Sequence, residues 1–151
     1  MSGTVTHAVV QHINSIIQPY INTTYVLRSS DELLLQIKDL SVRPGEQLVS
    51  LEVESLFTNV PVKETINIIQ TAYNHPTLPP PSMPAATLKE LISICTTETP
   101  FQFCSRTYVQ VDGVSMGSLL GPTFPDFYMS HLENAVLSVE KIFNTDMFMI
   151  F

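Results

Sequence analysis

Positive charge is scarce in this chain. Seven Lys and Arg stand against fourteen Asp and Glu, for a net charge of −7 at neutral pH. That is poor material for gripping a phosphate backbone, so weak or no nucleic-acid binding is expected of the isolated chain. The two cysteines, Cys95 and Cys104, do not form a CxxC pair. His12, His75 and His131 are scattered and read as surface or cap residues. These spacings argue against a zinc site. Met1 to Thr6 lacks the basic start and apolar core of a signal peptide. No apolar run is long enough to span a bilayer. The expected setting is therefore intracellular and reducing, cytoplasmic or nuclear, with no membrane partner.

Glycine is sparse as well, and its placement is informative. Three of the five glycines fall in Asp112-Gly-Val-Ser-Met-Gly-Ser-Leu-Leu-Gly-Pro122. Glycines spaced this way serve tight turning and close backbone approach. The strand-like run Phe101–Val111 leads into this loop, and a helix-like run from Thr123 to about Val139 follows it. Two readings stand side by side: a structural connector, or a place where a substrate lies against main chain.

What remains is enough for one domain: 151 residues, 44% of them apolar. Val9, Ile13, Ile16, Ile17 and Tyr20 recur at a helix period that ends near Pro19. Ser29 followed by Glu32 forms a capping box for a helix to about Leu40, with Leu33, Leu34, Ile37 and Leu40 on its apolar side. Pro61 opens a helix striped by Val62, Ile66, Ile69 and Tyr73. His75–Pro84 carries five of the eleven prolines and reads as a loop. Ser82 is the expected cap of a helix whose core face is Leu88, Leu91, Ile92 and Cys95. Phe101–Cys104 and Thr107–Val111 read as two short strands joined near Ser105. The long helix after the loop presents Phe124, Phe127, Tyr128, Leu132, Ala135, Val136 and Val139. A last strand is expected over Met147–Phe151, and its abrupt end reads as truncation.

Leu48–Glu54 alternates as a strand, with Val49, Leu51 and Val53 on the core face and Ser50, Glu52 and Glu54 on the other. A carboxylate in mid-strand admits two readings, a wet edge strand or a metal-binding acid facing a cleft.

Two segments together resemble a known family. Leu48-Val-Ser-Leu-Glu-Val-Glu-Ser-Leu-Phe-Thr-Asn-Val-Pro61 resembles the first palm motif of reverse transcriptases, in the form found in Penelope-like retroelements. Phe101-Gln-Phe103, Tyr108-Val-Gln110 and the Asp112–Pro122 loop resemble the approach to the second palm motif and the motif itself, continued by Phe127–Glu133. The likeness spans about Tyr25 to Leu137. It implies an α+β fold: part of a right-hand polymerase palm and fingers, with short antiparallel strands packed on helices, in a single incomplete domain over residues 1–151. It implies RNA-directed DNA polymerase chemistry, in which Mg²⁺ held by acids promotes nucleotidyl transfer on an RNA or DNA template-primer with dNTP as substrate. By the resemblance, Glu52 takes the position of the first catalytic, metal-binding aspartate. Phe57, five residues on, takes that of the aromatic gate against the ribose 2'-hydroxyl. Gly113, Met116, Gly117 and Ser118 match the loop beside the nascent base pair.

The chain also departs from the family. Glu52 replaces an aspartate and carries its carboxylate one methylene farther out, a serious change for an ion as strict in geometry as Mg²⁺. Asp112 stands where glutamine is usual, Leu119 where proline is, Ser105 where a turn glycine is, and Pro125 where a small helix former is. There is no Asp-Asp pair to serve as the third palm motif, and Asp146 lies in a Thr-Asp-Met context. The expectation is an inactive part of a reverse transcriptase domain. The alternative is a non-enzymatic acidic interaction protein of retroelement origin, pairing with a partner or with itself.

Overall fold

The computed structural model describes residues 5–24, 26–27, 29–39, 41, 44–45, 52–75, 82–97, 100–115 and 117–140. The expected strand Leu48–Glu54 lies largely outside these residues, as do Met116 and the expected strand Met147–Phe151.

The architecture is mixed α+β, a helical body carrying a small two-stranded antiparallel sheet. Helix α1 spans Val5–Ile17 and tightens into a 3₁₀ turn over Gln18–Tyr20. Pro19 accounts for the change, since it has no N–H to continue the α-helical ladder. Helix α2 spans Ser30–Ile37, and the hydroxyl of its cap Ser29 accepts the Glu32 N–H at 3.2 Å, as the capping pattern predicts. Helix α3 is one turn, Leu56–Asn59. Helix α4 spans Val62–Tyr73 and α5 spans Ala85–Thr97. Strands β1, Pro100–Phe103, and β2, Arg106–Val109, pair antiparallel with Phe101 opposite Tyr108 and Phe103 opposite Arg106. Helix α6 spans Thr123–Glu140.

The core forms where α1, α4, α5 and α6 meet. Ile13 and Ile17 come from α1, Ile66, Ile69 and Tyr73 from α4, Leu88 and Ile92 from α5, and Phe124 and Phe127 from α6. Each such side chain contributes about 1.5–3 kcal/mol when fully buried. The α4 stripe read from sequence, Val62, Ile66, Ile69 and Tyr73, is buried throughout. Two hydroxyl contacts pin the ends of this body. Tyr73 Oη accepts the Met83 N–H and donates to the Met83 carbonyl, both at 3.1 Å, fixing the approach to α5. Thr123 donates to Asn14 Oδ1 and so ties the start of α6 to α1.

Several expectations are corrected. The α5 helix begins at Ala85, where the Pro84 carbonyl accepts the Leu88 N–H at 3.1 Å, rather than at a Ser82 cap. On α1, Val10 is buried and Val9 is exposed. On α2, Leu34 is 58% exposed, so its apolar side is left largely open. On α6 the buried stripe runs Thr123, Phe124, Phe127, Ser130 and Glu133, while Leu132 and Val136 face outward. Leu132 and Val136 lie off the buried face because Glu133 occupies its last described turn. At the described end of the expected Leu48–Glu54 strand, Glu52 and Val53 are irregular, Glu54 enters a turn, and Val53 is exposed rather than in the core.

Among the described residues, no helix is long and apolar enough to cross a membrane.

Candidate functional site: the junction of two loops

The two segments singled out in the sequence meet in space. The chain turns at Ser55, which adopts the left-handed conformation with φ 52° and ψ 44°. A serine pays for that conformation sterically, and its neighbours hold it there. Thr58 Oγ1 and the Thr58 and Asn59 amides donate to the Ser55 carbonyl at 2.9, 3.0 and 3.2 Å. Asn59 Nδ2 donates to the Glu54 carbonyl at 3.1 Å. The turn presents the Phe57 carbonyl outward from α3, and the Val114 N–H donates to it at 2.8 Å.

Gly113 makes this contact possible in two ways. Its φ of +72° lies in the left-handed region. A Cβ at this position would sit 2.6 Å from the Thr58 carbonyl oxygen and 2.7 Å from that of Phe57. Both groups are main chain, so neither can swing aside. The glycine is required for its backbone geometry and for its lack of volume.

Beyond Val114 the loop folds on itself. The Ser118 N–H donates to the Ser115 carbonyl at 3.0 Å, and the Gly121 N–H to the Ser118 carbonyl at 2.9 Å. Ser118 Oγ accepts the Leu120 N–H at 3.2 Å. A Cβ on Gly121 would lie 2.9 Å from the Ser118 oxygen, so this glycine permits the second turn. Leu120 and Phe124 are fully buried and anchor the loop onto α6. Gly117 is exposed, and a Cβ there would meet nothing within 4 Å.

The structure thus brings Phe57, Gly113 and Val114 together, and a short run of turns places Gly117 and Ser118 on the same loop. Phe57 is half-buried against the core. Met116 lies outside the described residues. Glu52 is exposed, three residues before the Ser55 turn, and offers one carboxylate. Among the described residues, no three His, Cys, Asp or Glu side chains gather as a cation cage. Glu52 is the one acid that the resemblance assigns to Mg²⁺, and it is exposed.

Sequence reasoning missed Glu133. It is 3% exposed, on the core-facing stripe of α6, and its carboxyl has no hydrogen bond or ion pair among the described residues. Burial pushes its pKa up from the usual 4.5.

Comparison with protein-family models, with curated proteins and with solved structures finds no significant match.

Proposed function

We propose that this chain is part of a reverse-transcriptase-like palm, derived from RNA-directed DNA polymerases, and that it does not catalyse nucleotidyl transfer by itself. The observation that carries the reading is the joining of the two motif-like segments by the Val114 amide and the Phe57 carbonyl. A nucleotide-facing surface needs both segments, and the Gly113 approach sets them side by side at main-chain distance. In this reading Phe57 gates the sugar, Gly113, Met116, Gly117 and Ser118 lie along the base pair, and Glu52 is the first metal-binding acid. With Mg²⁺ bound, one ion would activate the primer hydroxyl and a second would offset charge on the leaving pyrophosphate. Glu52 alone does not supply the constellation such chemistry requires. The expected partners are therefore a template-primer and dNTP in the intact polymerase, with little activity from this chain.

Two measurements test the reading. Primer extension by the purified chain, with Mg²⁺ or Mn²⁺, is expected to show no incorporation, and template-dependent extension would overturn the inactivity. Titration with dNTP and Mg²⁺, followed by NMR, is expected to shift the amides of Phe57 and Gly113–Ser118. Absence of any shift there at millimolar nucleotide would remove the substrate-facing role.

A second reading, an acidic interaction module without catalysis, is favoured by Leu34 and Leu35, which are 58% and 65% exposed on α2. Sedimentation of the chain over a concentration series tests it, with a stable oligomer in its favour and a strict monomer against self-pairing.

A further inference from the structure

We propose that helix α2 is a self-association surface, on which the α2 of a second copy of this chain packs antiparallel about a two-fold axis between Leu34 and Leu35. A helix turns by about 100° per residue, so positions three, four and seven apart share a face. Asp31, Leu34, Leu35 and Lys38 fall within an arc of about 100°, and all four are exposed. Leu33 and Ile37 lie on the opposite side and are half-buried. Lys38 keeps helical backbone, with φ −56° and ψ −31°, so the face runs unbroken to it. None of the four belongs to the core where α1, α4, α5 and α6 meet.

The charges on this face select the occupant. Asp31 stands at its N-terminal end and Lys38 at its C-terminal end, equally far from the midpoint between Leu34 and Leu35. A helix laid antiparallel about that midpoint sets each Asp31 against the Lys38 of the other copy, and leucines against leucines. A surface that complements itself under a two-fold rotation is what an isologous dimer needs. Parallel packing would oppose like charges instead. The antiparallel order also brings each helix N-terminus beside the C-terminus of the other, which suits the two dipoles. Within one chain, Asp31 has no ion pair among the described residues, and Lys38 meets Asp39 only at 4.0 Å, with both side chains largely exposed. A surface contact of that kind contributes little and yields readily. Such pairing is the self-association of the non-catalytic reading above, so it rests on that reading and gives it a partner and a register.

The pair is a weak one. Eight residues make a helix about 12 Å long, too short to bury the roughly 1,200 Å² of a lasting interface. The leucines supply the apolar contact, and the exposed ion pairs set the register more than the strength. A dissociation constant on the order of 100 µM is expected at about 0.15 M salt, where the net charge of −7 on each chain is screened beyond about 8 Å.

The test is sedimentation equilibrium of the full chain up to millimolar concentration, with NMR of the same samples. A reversible dimer is expected, with concentration-dependent amide shifts over Ser30–Lys38. Asp31→Lys and Lys38→Asp should each weaken it about tenfold, because either reversal turns both ion pairs into like-charge pairs. The two single variants mixed together should pair with each other, and the double reversal should recover the parent's pairing. Damage to the helix itself would be worst in the double variant, so recovery there separates pairing from folding. Leu34→Ala combined with Leu35→Ala should abolish the dimer, with circular dichroism checking the fold. A strict monomer at millimolar concentration overturns both this interface and the self-pairing reading. A dimer that ignores the charge reversals, is not recovered in the mixture, or shifts amides elsewhere overturns this interface and leaves self-pairing standing.

Discussion

Replacing Gly113 by alanine tests the loop junction most directly. Two independent penalties fall on one methyl group. The backbone at φ +72° is a conformation in which a Cβ clashes with its own main chain, at a cost of roughly 1–2 kcal/mol. The same Cβ would lie 2.6 and 2.7 Å from the Thr58 and Phe57 oxygens, well inside contact distance. Relief requires the two segments to separate, which gives up the Val114–Phe57 hydrogen bond, about 1 kcal/mol. The expected destabilisation is about 2–4 kcal/mol. Urea unfolding reads it as a lower midpoint, by roughly 1–2 M for a denaturant slope of ~2 kcal/mol per molar. The internal control is Gly117→Ala on the same loop. Nothing lies within 4 Å of that added methyl, and φ there is not in the left-handed region. It should be neutral or stabilising by about 0.4–1 kcal/mol through the unfolded chain. If Gly113→Ala unfolds within 0.5 kcal/mol of the parent, the close approach is not a constraint and the reasoning fails.

Glu133→Gln is expected to raise stability at neutral pH, since it removes a buried charge with no partner among the described residues. The folded-state pKa is raised above the usual 4.5. The favourable, protonated contribution is thus complete below that value and is lost as pH rises through the folded pKa. Melting curves from acid to neutral pH should show this decline in the parent and not in the variant; parallel curves would refute it. Ser105→Gly should stabilise the hairpin by about 0.5–1 kcal/mol, because Cys104 and Ser105 form its two-residue turn with φ of 47° and 60°. A thermal midpoint unchanged or lowered by this substitution would count against it. Tyr73→Phe loses both contacts to Met83 and should cost about 1–2 kcal/mol in urea; an unchanged midpoint would mean that the clasp contributes nothing.

Much of the helical body was legible in the sequence. The α4 stripe and the Ser29 cap follow from spacing and from one hydroxyl, both local signals. The α6 stripe was legible only to Tyr128. Past it, Glu133 takes the buried position, and a tertiary environment that accepts a carboxyl cannot be read from periodicity. The hairpin was placed nearly to the residue, but not the sharing of one face by its rings and Arg106, which depends on register. At the junction, the glycines of the loop signalled close approach. What they approach is set by the left-handed turn at Ser55, for which a serine gives no hint.

The hydrogen bond from Val114 to Phe57 has a kinetic meaning too. The β1–β2 hairpin joins neighbours and can close in microseconds. The Val114 amide finds its acceptor only after the chain between has been gathered, so loop-closure entropy is lost before the bond is gained. That amide is a single-site clock for the assembly of the two segments. Its exchange with deuterium is expected to follow the slow opening of the helical body rather than the fraying of the hairpin.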